Sequence, residues 1–290
     1  MSEVRILIVG ERGLVAQRLR ERLEKDDFEV QVISTDEALT GNLQGSVNGK
    51  DVVVLCGQDF VSSQVMDRLP DGVRVLDVSP TFRNYPSWVY GLPELHDGYD
   101  KIRHATRVAN PGCFATAAIL ALEPPTKGRM IPRYTHVYLD ATAGYSSGGT
   151  KLINQVTDGL MVNETMFSLN REHRHVQEIK THSGASGPVI FHPKVDPLTF
   201  SGTRMVVSIP NVRADELRAL YREVYQGTEI IVLDDNPSSI KVNDWADKEG
   251  ACLRVYENEI GSTVICTLDN LLKGAVSAAV RNVTLMTQKA

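Results

Sequence analysis

The stretch VRILIVGERGLVAQRLRERL, Val4 to Leu23, constrains this chain more than any other. Branched apolar side chains dominate Val4 to Gly10, which suits a strand buried on both faces of a sheet. Val15, Leu19 and Leu23 then recur at four-residue steps among Gln, Arg and Glu, which predicts a helix with one apolar and one solvated face. Between them Gly10, Gly13 and Ala16 form G-x-x-G-x-x-A. Small residues at a strand-to-helix turn let the backbone approach a pyrophosphate, and the helix start offers amides to its charge. The same residues could make a plain tight turn, and the fuller G-x-G-x-x-G pattern is absent.

Three more apolar strands follow, at Glu29 to Ser34, Asp51 to Cys56 and Val73 to Ser79. Phe60 to Leu69 reads as an intervening helix, and the polar, glycine-containing stretch from Thr40 to Gly49 as connecting structure. Alternating strands and helices predict a compact, mostly parallel α/β sheet. The character changes after SPTFRNYPSWVYGLPEL and again at NPGC, Asn110 to Cys113, which puts a domain boundary near Cys113. A helix should start there, with Pro124 and Pro125 making its continuation unfavourable. Beyond it, strands are expected at His136 to Thr142, Thr203 to Pro210, Glu229 to Asp234 and Ser262 to Asp269, with helices at Asp215 to Tyr225 and Lys273 to Met286. The reading is a nucleotide domain over residues 1–112, a second α+β domain over 113–262, and a terminal strand and helix over 263–290 returning to the first domain.

Composition narrows the partners. A length of 290 residues with 42% hydrophobic content can fill one large or two medium cores. Thirty-one Lys and Arg against 36 Asp and Glu give a net charge of −5, so nucleic acid is not an expected partner, although a local anion site remains open. No apolar run approaches the roughly 20 residues that cross a bilayer, so no membrane association is expected. Cys56, Cys113, Cys252 and Cys266 show no paired spacing, and the charged, apolar and small-residue sections of a signal peptide are missing. A reducing, cytoplasmic setting is the expectation.

Several residue types carry chemistry. Ser34 and Thr35 end the second strand where an adenosine ribose is often read; hydroxyls there leave room for a 2′-phosphate, which points to NADP, and a polar strand-to-loop transition is the alternative. Cys113 starts a helix, where aligned amides favour a thiolate and can stabilise an oxyanion; a buried structural cysteine would look the same. His173 and His175, in REHRHVQEIK, are candidate proton-transfer partners or ordinary surface histidines, and a metal held by His173, His175 and Glu178 is poorly specified by the spacing. Arg83 with Ser79 and Thr81 could bind an oxyanion, or Arg83 could form a surface ion pair. Ser146 to Gly149 make a polar glycine turn suited to a substrate loop or to structure alone. Lys194 and Arg204 are further cations without a defined place.

Taken together, NPGCFAT, the preceding WVYGLPEL, HRHVQEI and the terminal DNLLKGAVSAAVRNVTLM resemble the N-acetyl-gamma-glutamyl-phosphate reductase family in its shorter-chain form, and more broadly the aspartate-semialdehyde dehydrogenase-like proteins. The resemblance implies a Rossmann-type nucleotide domain and a second α+β catalytic and oligomerisation domain. It further implies NADPH-dependent reduction of N-acetyl-L-glutamyl 5-phosphate to the 5-semialdehyde in arginine biosynthesis, with phosphate release and neither ATP nor a catalytic metal. Carried over by that resemblance, Cys113 would take the nucleophile's place and His173 would transfer protons. The same carry-over has His175 and Glu178 helping to orient the reacting group or its neighbour, and Arg83, Ser147 and Gly148 on the substrate side. Gly10, Gly13 and Ala16 lie under the dinucleotide phosphates, and Asn270, with Gly274 in the nearby turn, on the cofactor side. A homo-oligomer is also implied.

The sequence departs from the family at three places. Gln177 stands where proline usually precedes Glu and Ile, Arg281 where glutamine is common, and the amino-terminal glycine loop is incomplete. These departures leave two alternatives open. One is reduction of a glutamyl or aminoadipyl phosphate attached to an amino-group carrier protein. The other is a non-catalytic dinucleotide-binding subunit.

Overall fold

The computed structural model describes residues 4–170 and 172–288. They form two compact units, the first running through Pro111 and resuming at Ala275, the second spanning Gly112–Gly274.

The first unit alternates strand and helix as the apolar runs predict. Its elements are β1 (Arg5–Val9), α1 (Leu14–Lys25), β2 (Glu29–Ile33), α2 (Thr35–Thr40), α3 (Leu43–Val47), β3 (Val52–Leu55), α4 (Asp59–Met66), β4 (Val75–Asp77), β5 (Val89–Tyr90), α5 (Gly98–His104) and β6 (Arg107–Ala109). Its six strands lie in the order β2-β1-β3-β4-β6-β5, and all of its pairs are parallel. Both faces are covered. Ile6 and Ile8 pack with Leu19 and Leu23 of α1 on one side, while Leu7 and Val9 pack with Leu43, Val47 and Val65 on the other. The order reverses between β1 and β3, and in open sheets of this kind ligands bind outside the carboxyl ends of the strands at such a switch point.

The stretch from Thr40 to Gly49 is not plain connection. Asn42 caps α3 by accepting from the Gly45 amide at 3.0 Å, so a polar side chain read as a loop residue instead starts a helical turn.

The second unit contains α6 (Cys113–Lys127), β7 (Val137–Gly144), α7 (Gly149–Thr157), β8 (Thr165–Met166), α8 (Arg174–Ser183), β9 (Val189–Asp196), β10 (Thr203–Pro210), α9 (Ala214–Val224), β11 (Ile230–Leu233), β12 (Ala251–Asn258) and β13 (Gly261–Leu268). Its larger sheet has seven strands in the order β11-β12-β13-β10-β7-β9-β8, of mixed direction. Burial alternates along β10, with Thr203, Met205, Val207 and Ile209 turned inward, as expected where only one face is covered. The central helix α6 is buried on every side from Phe114 through Thr126.

Two expectations need correction. The strand after Ser262 does not return to the first unit. It pairs with β12 and β10 in the middle of the second sheet, because a two-residue connection ties it to β12 as a hairpin. The chain rejoins the first unit only from Ala275, through a π-helical turn (Leu272–Val276) that leads into α10 (Ser277–Thr287). Val280, Val283 and Met286 of α10 join the β1 and α1 core.

Nor do Pro124 and Pro125 end α6, which continues to Lys127. Each proline lacks the amide that would bond the carbonyl four residues back. Here Tyr225 Oη donates to the Leu120 carbonyl at 2.6 Å and Tyr221 Oη to that of Ala121 at 2.5 Å, so side chains in the last turn of α9 and at its C-cap replace the two lost donors. Among the described residues, no helix is long and apolar enough to cross a membrane.

Candidate active site

In the second unit the site starts from Cys113, the first residue of α6. Gly112 at the cap has no side chain to occupy the first-turn amides, and that turn holds no acidic residue. The positive end of a buried helix therefore lies at the sulfur, an environment that favours a thiolate and an adjacent oxyanion.

The capping position of α8 is held by His173. Its Nδ1 accepts from the His175 amide at 3.2 Å. With Nδ1 as the acceptor, this bond suits the tautomer that carries its proton on Nε2. The ring is half-buried and packs edge-on against Phe114, Phe167 and Phe191 at centroid distances of 6.4, 5.6 and 5.3 Å. Because Phe114 follows Cys113 directly, this packing ties the His173 ring to the first turn of α6.

Buried on the first turns of α8 are His175 and Glu178, with His175 Nε2 3.8 Å from Glu178 Oε2. The other carboxylate oxygen of Glu178 accepts from the Gly112 amide at 2.9 Å. Glu178 thus grips the residue that caps the cysteine helix. No group of three or more His, Cys, Asp or Glu side chains among the described residues is arranged to hold a metal ion.

A third support comes from the turn after β13. Gly274 lies so close to α6 that a Cβ on it would stand 2.5 Å from the Cys113 Cβ. Asn270, in the same turn, uses its Oδ1 to accept from the Gly202 amide at 2.8 Å and its Nδ2 to donate to Ser146 Oγ at 2.9 Å. Ser147 and Gly148 lie at least partly exposed in the 3-10 turn that leads into α7. Lys194 pairs with Asp140 across β9 and β7, and Arg204 donates to the Ile240 carbonyl, so each has a local partner within this unit.

The first unit carries the other predicted residues. Gly10 follows β1 with φ +105°, and a Cβ there would come 3.0 Å from the Cys56 carbonyl, so only glycine suits the turn. Gly13 caps α1 without any side-chain bond, and a Cβ on it would meet nothing within 4 Å. An open space over an uncapped helix start fits a pyrophosphate. Ala16 is buried on α1.

At the end of β2, Ser34 accepts from the Glu37 amide at 3.0 Å, and Thr35 begins α2. The Ser34 hydroxyl therefore serves as a helix cap. Arg83 is buried, with Nε donating to the Asn110 carbonyl at 2.8 Å and Nη2 to that of Val78 at 3.3 Å. A surface ion pair does not describe it.

Comparison with known proteins gives this geometry a family. Residues 113–270 match the family described as "Semialdehyde dehydrogenase, dimerisation domain", a match that starts at Cys113. The chain is 32% identical to the N-acetyl-gamma-glutamyl-phosphate reductases of Brucella melitensis and Brucella ovis, over 98% of its own length and 99% of theirs. The chain belongs to the N-acetyl-gamma-glutamyl-phosphate reductase family. It is thereby an oxidoreductase of the semialdehyde-dehydrogenase type.

The family fold is also that of aspartate semialdehyde dehydrogenase II from Vibrio cholerae, with a TM-score of 0.77 at 16% identity over 98% of each chain. The Candida albicans aspartate semialdehyde dehydrogenase, solved with NADP, gives 0.73 at 14% identity, again over 98% of each.

Sequence reasoning about this reductase missed Asp269, which accepts from the amides of Leu271 and Leu272 at 2.7 and 3.1 Å. An aspartate just before a helix is a recognisable start signal. It also missed Asn282, whose Nδ2 donates to Asn110 Oδ1 and to the Gly91 carbonyl, each at 2.9 Å, from the packed side of α10.

Proposed function

We propose that this protein reduces N-acetyl-L-glutamyl 5-phosphate to N-acetyl-L-glutamate 5-semialdehyde, with release of phosphate, using NADPH and a thioester on Cys113. The observation that carries the reading is the start of α6. There a cysteine occupies the first position of a buried, uncapped helix, and His173 and Glu178 of the α8 region are tied to the same turn.

An acyl phosphate is already activated, so the chain chiefly has to aim a nucleophile and stabilise charge. The Cys113 thiolate attacks the acyl carbon, a C–S bond forms, and the C–O bond to phosphate breaks with its electron pair on the leaving group. First-turn amides of α6 stabilise the oxyanion. His173, with its proton on Nε2, donates a hydrogen bond to the carbonyl oxygen as negative charge develops there. NADPH, when bound, supplies the hydride that reduces the thioester carbonyl, after which the aldehyde leaves and the sulfur is again a thiolate.

The glycine turn at Gly10, Gly13 and Ala16 receives the dinucleotide phosphates in this reading, and Ser34 and Thr35 line the ribose end. Asn270 and Gly274 shape the turn on the cofactor side. Arg83, Ser147 and Gly148 contact the substrate, with Arg83 taking the anionic end, and His175 and Glu178 keep the reacting turn in place.

The protein works as a homo-oligomer. Tyr138 and Ile190, paired across β7 and β9, are 51% and 40% exposed on the face opposite the one carrying their buried neighbours Val137 and Leu139. A second copy covering that face agrees with the description of the matched family.

The test is a panel of free acetylated, carrier-attached glutamyl and carrier-attached aminoadipyl phosphates, each with NADPH and NADH, scoring aldehyde and phosphate together. The acetylated substrate with NADPH should give equal amounts of both products. Turnover of only a carrier-attached substrate would move the assignment there, an outcome that Gln177, exposed on α8, makes worth including.

A further inference from the structure

The sequence DNLLKG, Asp269 to Gly274, joins the last strand of the second sheet to the chain's final helix and holds more hydrogen bonds than a connection needs. Asp269 is 2% exposed. Its Oδ1 accepts from the amides of Leu271 and Leu272, and its Oδ2 from Ser201 Oγ at 3.0 Å and the Asp247 amide at 2.9 Å. Its own carbonyl accepts from the Gly274 amide at 3.0 Å. With the Asn270 side chain also engaged, at Gly202 and Ser146, the turn has little freedom to shift.

What this turn presents to α6 is a glycine with no side chain. A Cβ on Gly274 would stand 2.5 Å from the Cys113 Cβ and 3.1 Å from its Cα. Neither atom is the tip of a flexible side chain. The Cα is backbone and the Cβ is fixed to it, at the start of a helix that is buried from Phe114 through Thr126, so neither can retreat without disturbing that packing. The sulfur is one bond from the Cβ concerned, so this contact sets the origin of the arc on which it swings.

We infer that the Asp269–Gly274 turn is a positioning device for the nucleophile, with Gly274 as the stop behind Cys113 and Asp269 as the residue that holds the stop in place. The inference rests on Cys113 being the nucleophile. Ordinary packing would make Gly274 matter to stability alone. A positioning role makes it matter to the reactivity of one sulfur, since a displacement of about 1 Å at a reacting atom can cost about a hundredfold in rate.

The experiment uses the full chain with Gly274→Ala, Asp269→Asn and Ser201→Ala. Two readouts are taken on folded protein: kcat and KM with the acyl phosphate and NADPH, and the alkylation rate of Cys113 by iodoacetamide, resolved from the other cysteines by peptide mass. Gly274→Ala should lower kcat by about a hundredfold and Asp269→Asn by about tenfold. Alkylation of Cys113 should slow in both, in the same order, with Ser201→Ala lying between them and wild type.

Should wild type turn over none of the acyl phosphates, the reductase reading fails, and slowed alkylation of Cys113 still upholds the positioning role. Wild-type kcat and alkylation in Gly274→Ala would overturn it. If that variant does not fold, the same result in Asp269→Asn and Ser201→Ala is decisive.

Discussion

Asp77, at the carboxyl end of β4, is fully buried, and desolvation pushes its carboxyl up to about 6, against the opposing effect of bonds from the Ser79 amide and hydroxyl. A carboxyl that titrates near 6 when folded and near 3.8 otherwise binds more protons in the native state across that interval. Stability should therefore fall as pH rises from about 4 to 6 and level off above, by about 3 kcal/mol at most. Asp77→Asn should remove that slope, as read from urea midpoints across the interval; identical slopes in variant and wild type would refute the assignment. Neighbouring Cys56 has its thiol pushed up to about 12 by burial and by Asp77, and burial also raises Cys252 and Cys266. Those three thiols are poor nucleophiles.

Among the elements, α6 links stability to chemistry, because its start aims Cys113 and its far end passes through two prolines. Burial raises the Tyr221 phenol well above its usual range, so it remains an O–H donor to the Ala121 carbonyl. Tyr221→Phe or Tyr225→Phe leaves a buried carbonyl without its donor and should cost roughly 1–3 kcal/mol each. In a background carrying Pro124→Ala and Pro125→Ala the helix supplies its own amides, and the cost should shrink; a double-mutant cycle in urea measures the difference. Equal costs in both backgrounds would contradict the compensation of prolines by tyrosines.

The same helix shows where the sequence could be read and where it could not. Its start was legible, since NPGC precedes a run of helix formers. Its continuation was not, since proline speaks locally against a helix and the tyrosines that answer it lie 100 and 105 residues from the carbonyls they bond. Elsewhere the β1–α1 periodicity was plain and the β10 strand was found at its full extent, whereas short edge strands such as β5 and β8 and the capped turn at Asn42 carry too few residues for a period to register. The candidate site divides in the same way. Cys113, His173 and Glu178 stand in recognisable motifs, but the grip of Glu178 on the Gly112 amide and the approach of Gly274 to Cys113 are tertiary facts with no local signature.

At the scale of the whole molecule, the chain is two compact units. One is a parallel sheet with a glycine turn at its switch point, and the other a mixed sheet carrying the cysteine helix, the histidine helix and an exposed face suited to a second copy. Membership in the reductase family assigns the class of chemistry, and the geometry of the second unit supports Cys113 as its nucleophile. The most direct test is to mix the purified protein with N-acetyl-L-glutamyl 5-phosphate in the absence of nucleotide and measure its intact mass. A single acyl adduct should appear, map to Cys113, be absent in Cys113→Ser, and be discharged when NADPH is added. Adduct-free protein that nonetheless turns over the acyl phosphate, or an adduct on any other residue, would contradict a Cys113 thioester.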